Sequence, residues 1–307
     1  MSTICRHDKA MGVGRHIYGL DAVRFVAALW VFFSHGGVPQ IEEFVDKSVP
    51  LGMVIAGVYN NLWSGPAAVI VFFVVSGFVI HYPYTDNKPI NLVQFFIRRY
   101  IRICIPLLII LLIVRELGLS MNLLDAVTWS LYAELIYYSL YPLIRKFFLL
   151  VGIKQVLWMS FLAALMVIMT DPAQGNYPSY GLALNWLLGL PCWLLGCLLA
   201  EKCFQSSTEG RSGEVYVNSI KTVWMYRVSV FGAAFVCSVL RFHSPLGYPW
   251  TLDIFSLLVS VWLYKEIKYY SSSENGPWLL LERGGRGAFA LFNSSSLSSL
   301  CPTVDTH

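Results

Sequence analysis

Few side chains in this 307-residue chain could do acid–base or group-transfer chemistry, and those few lie in apolar surroundings. Arg24 and His35 are eleven positions apart in YGLDAVRFVAALWVFFSHGG. In a regular helix that spacing returns to within roughly 20° of the same face and separates the pair by about 16 Å along the axis. His35 would be the natural proton acceptor, with an ordinary pKa of about 6.5. Asp21, three residues before Arg24, could pair with it. Glu134 lies in TWSLYAELIYYSLYP, with Ser130 one turn before it and Tyr137, Tyr138 and Tyr141 on the turns after. A buried carboxylate wants a cation, and Arg24 is the basic residue deepest in an apolar run. Two plainer alternatives stand beside this one. Arg24 could snorkel to the headgroups with His35 at the membrane boundary, and a protonated Glu134 could bond to Ser130 or a tyrosine.

FFVVSGFVI ends the second apolar run with Ser76 and Gly77, where close helix packing is the simpler role and catalysis by Ser76 the less favoured one. QFFIRRYIRICIP then supplies Arg98, Arg99 and Arg102. Arg98 and Arg102 are one turn apart and could hold a phosphorylated ligand in a fork, although membrane orientation alone would also explain them. His81 and Asp253 are further ionisable residues at apolar positions, and no role is assigned to either.

The elements that must position these residues follow from composition. Hydrophobic residues make up 56% of the chain and charged residues 13%, about half the share of a soluble domain. Such a chain cannot cover itself with water-compatible surface, and a polytopic all-α bundle is expected. Eight spans are predicted, at 17–35, 62–81, 95–114, 127–144, 155–169, 182–199, 223–240 and 250–264. Of the 22 Lys and Arg, nineteen lie outside the spans or toward their ends; with the N-terminus inside, sixteen of these face the cytoplasm and three (Lys47, Arg115, Arg241) face outward. The net charge of +4 is scattered through the connections, which argues against nucleic acid. Seven cysteines show no CxxC spacing and read as packing residues. The first apolar run ends in SHGG without a small-residue cleavage pattern, so it reads as a retained helix. The division is a cytoplasmic segment at 1–16, a membrane domain at 17–264 and an atypical tail at 265–307.

Taken together, the four motifs, in their order, resemble the acyltransferase 3 family of membrane O-acyltransferases over about residues 17–264. The first-helix arginine, ten residues and histidine are Arg24 and His35; FFVVSGFVI, RRYIRICIP and TWSLYAELIYY supply the other three signatures. The resemblance implies an O-acetyltransferase-like enzyme that takes an acyl group, acetyl in the simplest case, from acyl-CoA. The acceptor would be a carbohydrate or lipid-linked glycan, as in O-acetylation and polysaccharide modification at the plasma (inner) membrane, with no metal. It also implies that Arg24, His35 and Glu134 are catalytic and that Arg98, Arg99 and Arg102 hold the donor. Three residues separate Arg102 from Pro106, more than the family pattern usually has. The sequence passes from ERGGRGAFALF into NSSSLSSLCPTVDTH and stops short of the family's usual last two spans, and Asn293–His307 reads as a frameshifted or prematurely ended continuation. A transporter with Arg24 and Glu134 as its coupling pair, or an inactive remnant of an acyltransferase, is the competing expectation.

The topology makes a direct prediction. In a cysteine-free background, a membrane-impermeant thiol reagent added from outside should label a cysteine at position 47 and miss one at position 146. Labelling of both, or of neither, contradicts the span count.

Overall fold

The computed structural model describes residues 20–37, 41, 44–46, 48–86, 88–116, 122–208 and 220–272. Among these residues every regular element is helical. They are α1 (Leu20–Phe32), α2 (Pro50–Leu62), α3 (Gly65–His81), α4 (Leu92–Glu116), α5 (Asn122–Val151), α6 (Ile153–Thr170), α7 (Asn185–Thr208), α8 (Ile220–His243) and α9 (Tyr248–Ser272). A π-helical turn, Phe33–Gly37, continues α1, and short 3-10 turns lie at Tyr82–Tyr84 and Tyr177–Tyr180.

Each of the eight expected spans corresponds to a helix, so the all-α membrane bundle stands. The segment Pro50–Tyr84 and the helices α6, α7 and α8 are long and apolar enough to cross a bilayer, and α1 is a shorter apolar helix. α4, α5 and α9 have 25, 30 and 25 residues and carry charges. At about 1.5 Å per residue each still exceeds the roughly 30 Å hydrocarbon core.

α2 was not anticipated, because a search for runs of about 20 apolar residues passes over a helix of 13. Pro50 starts it in the first turn, where a missing N–H costs nothing, and the non-helical pair Trp63–Ser64 separates it from α3. Just ahead of it the Ser48 hydroxyl and backbone N–H, the latter at 2.8 Å, donate to Asp46 and hold its carboxyl below the ordinary pKa. At the other end, α9 runs eight residues past the predicted limit of its span, to Ser272. The expected segment 1–16, Lys47, the side chain of Asp21 and the tail beyond 272 lie outside the described residues.

α3 is the centre of the bundle. It is apolar on every face, and 13 of its 17 residues are buried, as expected of a helix with no polar stripe. It packs on α7 at backbone distance. A Cβ on Gly77 would lie 1.9 Å from the Trp193 carbonyl oxygen, and one on Gly196 would lie 2.0 Å from that of Val74. Around this contact Trp193, Tyr137 and Tyr141 are fully buried, with ring centroids 5.6–6.0 Å apart. Pro142 and Pro191 sit inside α5 and α7, where each removes a backbone hydrogen bond.

Polar ties fix the other helices to this centre. His81 on α3 bonds Glu201 on α7 at 2.8 Å and Tyr141 on α5 at 3.0 Å. Arg227 on α8 pairs with buried Glu266 on α9, which also accepts from Trp262 Nε1 at 2.9 Å. A buried chain of hydroxyls and an amide links the α2–α3 elbow to α8 and α9. In it Ser238 donates to Asn61 Oδ1 at 2.7 Å, Tyr248 donates to Ser238 at 3.3 Å, and Ser64 and Tyr248 share a bond of 3.3 Å. His81, to which no role was assigned from the sequence, is thus an interior partner of α5 and α7.

Replacing either glycine of the central contact should be severe, because the atoms in the way are backbone and cannot swing aside. Gly77→Ala or Gly196→Ala should destabilise by more than the about 1–3 kcal/mol typical of overpacking. The check is protein in the membrane fraction and its melting temperature in detergent. Gly57→Ala, with nothing within 4 Å of the added Cβ, should behave as wild type.

Candidate active site

His35 sits in the π-helical turn that ends α1, a geometry that recurs at functional sites because it re-aims side chains away from the regular helical face. Its Nδ1 lies 2.8 Å from the Val31 carbonyl oxygen and 2.9 Å from Ser34 Oγ. A carbonyl can only accept, so Nδ1 carries the hydrogen. Ser34 gives its own hydrogen to the same Val31 oxygen at 2.7 Å. The imidazole is thereby fixed as the Nδ1–H tautomer, and Nε2 presents its lone pair on an exposed ring.

The turn rests on the N-terminus of α3. A Cβ on Gly65 would meet Ser34 Oγ at 2.5 Å and His35 Cε1 at 3.5 Å. Ser64, at the N-cap, makes no side-chain bond to the helix, and its hydroxyl goes to Tyr248 instead. Pro66 has no N–H and Ala68 donates to the Ser64 carbonyl, so the first turn of α3 leaves the N–H groups of Gly65 and Ala67 without an intrahelical acceptor, and Gly65 adjoins the His35 turn.

A second layer lies deeper. Ser76 donates to Glu134 Oε1 at 2.7 Å, Tyr138 donates to the same oxygen, and the two hydroxyls are 3.1 Å apart. The Glu134 hydroxyl partners are therefore Tyr138, a turn along its own helix, and Ser76 from α3. The guanidinium of Arg99 interacts electrostatically with Glu134 and Tyr138 and stands 5.8 Å from the Phe95 ring centroid. Arg98 and Arg102, one turn apart, lie on the exposed side of α4, while Arg99 is half-buried.

The two layers are joined by helix geometry. α1 packs antiparallel to α3, with the His35 turn against Gly65. Arg24 is eleven residues down α1 from His35, and Ser76 is eleven residues down α3 from Gly65. At about 1.5 Å per residue both lie some 16 Å below the imidazole, so half-buried Arg24 shares the depth of Ser76 and Glu134. The structure therefore groups Ser76, Glu134, Tyr138 and Arg99 and puts Arg24 at their level. His35 bonds Val31 and Ser34, not Glu134.

Beside α1 runs an apolar cavity of about 400 Å³, within the usual range for ligand sites. It extends from Arg227 and Glu266, past Val23, Ala27 and Val230, to Phe33 and Trp63 at the foot of the His35 turn.

These positions can be set against known proteins. The acyltransferase 3 family profile, described as an acyltransferase domain, matches residues 17–292. The chain belongs to the acyltransferase 3 family. The match continues 28 residues past the limit of the motif resemblance, residue 264. Neither a curated protein nor a solved structure matches the chain. An integral membrane acyltransferase is thus the family's general character, and the helices agree with it.

Sequence reasoning did not find Gly65, the π turn or the Ser76–Glu134 bond. The pair Gly36–Gly37 after His35 was the available sign of an irregular helix end; Gly65 and Ser76 carry no sign without the fold. Gly65→Ala tests the first of these. The added methyl should push Ser34 and His35 out of place and lower acyl transfer about tenfold or more, since small misplacements of reacting groups are costly. Membrane abundance should stay near wild type. Adding Ser34→Ala should recover part of the loss, which a double-mutant cycle on transfer rate would measure.

Proposed function

We propose that this acyltransferase moves an acyl group, acetyl in the simplest case, from acyl-CoA to a hydroxyl of a cell-envelope or secreted carbohydrate. It does so at the plasma (inner) membrane with its N-terminus in the cytoplasm. The observation that carries the reading is the His35 tautomer, in which Nδ1–H is committed to Val31 and Nε2 is left as a base. Nε2 takes the acceptor hydroxyl proton as the oxygen attacks the thioester carbonyl. The N–H groups of Gly65 and Ala67 face the oxyanion, the C–S bond breaks, and the imidazolium returns the proton to the CoA sulfur.

The donor is held from the other end. Arg98 and Arg102 bind its phosphates from the exposed side of α4. Arg24, with Glu134, Ser76 and Arg99, lines the interior through which the thioester arm reaches His35. The 16 Å between the two layers has to be bridged by an extended, uncharged segment, which the pantetheine part of the donor supplies.

The test uses purified protein, radiolabelled acetyl-CoA and extracted envelope glycans, with each variant quantified in the membrane fraction. His35→Ala should lose about 10²–10⁴-fold in transfer, the usual contribution of a general base, at unchanged abundance. Arg24→Ala should lower abundance as well as transfer, because it removes a charge expected to pair with Asp21 or Glu134. Arg24→Lys should restore abundance better than transfer, since it keeps the charge and loses the planar fork. Normal transfer by His35→Ala at normal abundance would overturn the mechanism.

A further inference from the structure

A second polar cluster lies at the same end of the bundle as His35, formed by α7, α9 and the turn before α7. Asp253, five residues into α9, accepts from the Tyr177 hydroxyl at 3.3 Å and from the Cys192 thiol at 3.4 Å. Both bonds fall on Oδ1, and Asp253 is partly exposed, so Oδ2 can serve a further donor. Asn185 opens α7. It is 1% exposed, and neither its amide nitrogen nor its oxygen has a hydrogen-bond partner among the described residues. Buried polar atoms are satisfied in the great majority of cases, so an amide with both ends unmet stands out as a group waiting for a ligand. Asn185 and Cys192 are seven residues apart, within roughly 20° on one stripe of α7 and about 10 Å apart along its axis, so the two lie on the same side of the helix two turns apart.

The surroundings specify the ligand. The Tyr177 ring meets Trp129 edge-on at 5.8 Å, so an aromatic wall backs the polar groups. A carboxylate oxygen, an amide that both donates and accepts, a phenol and an aromatic wall match the alternating hydroxyls and C–H faces of a sugar ring. None of these groups is basic, as a phosphorylated ligand would require. The cluster also connects to the base. Tyr248, five residues before Asp253, bonds Ser64, and the next residue, Gly65, touches the His35 turn.

We propose that Asp253, Asn185 and Tyr177 form the subsite that holds the ring of the carbohydrate acceptor. This assignment rests on the acyl-transfer reading above and adds where the acceptor sits. Saturation-transfer NMR on the full chain in nanodiscs tests it, with the methyl glycosides of glucose, galactose, mannose and N-acetylglucosamine as probes. At least one glycoside should bind wild type and His35→Ala alike, because removing the base leaves the subsite intact. Binding should weaken at least tenfold in Asn185→Leu and Asp253→Asn. Asn185→Leu separates the alternatives, because it removes two unmet polar atoms at similar size. If Asn185 only packs, the variant melts higher and binds as wild type, and the proposal fails. It fails equally if none of the four glycosides binds wild type. Should Asp253→Asn not accumulate in the membrane, Tyr177→Phe takes its place with the same expected loss. Glycoside binding without acyl transfer by wild type would count against the transfer reading and leave the subsite standing.

Discussion

Two missing side chains, at Gly77 and Gly196, let α3 and α7 meet backbone to backbone, and the directions of the polar groups on α3 follow from that contact. With Gly77 turned toward α7, the neighbouring Ser76 is turned by about 100° around α3, which brings it to Glu134 on α5. Four residues further on, His81 reaches both α5 and α7. In a bilayer there is no hydrophobic gain from pressing one apolar helix on another, so close packing and buried hydrogen bonds carry the association. The serine, the glycine and the histidine of α3 are thus three uses of one helix face pattern, set by where the backbone must approach.

The membrane bundle was legible because its signal is long-range and redundant. Long apolar runs and a one-sided distribution of Lys and Arg each point to the same helices, and the four motifs point to the same family. What was not legible depends on local departures from regular geometry. The spacing of Arg24 and His35 assumed a continuous α-helix, and the π turn after Phe32 changes the direction of the imidazole without changing its distance along the chain. α2 was missed because a 13-residue helix looks like a connection when the search is for full spans. Glu134 was identified as the buried acid, but a single sequence cannot say which hydroxyl from another helix will meet it. Asp253 and His81 were noticed and left without a role, since their partners come from 61 and 120 residues away.

The polar ties differ in what they ask of the surrounding protein. The pair of Arg227 and Glu266 is two-pronged and reinforced by Trp262, so its charges are met within the bundle. The chain from Asn61 through Ser238 and Tyr248 to Ser64 is uncharged and complete, and it holds the elbow from which α3 begins. Because the His35 turn rests on that elbow, residues from α2, α8 and α9 brace the turn through the start of α3. Asn185 is the contrast, an amide side chain that no described residue satisfies.

The separation of the two layers has an electrical consequence. On the proposed reading the donor's phosphates stay with the arginines while its arm and acyl group pass some 16 Å toward His35, and those moving parts are neutral. The proton taken from the acceptor returns on the departing sulfur, so no net charge is carried across the low-dielectric interior in a full cycle. A charge crossing the membrane would gain or lose about 2.3 kcal/mol per 100 mV. On that reading acyl delivery is electroneutral, and it would run at the same rate in an energised and a de-energised membrane.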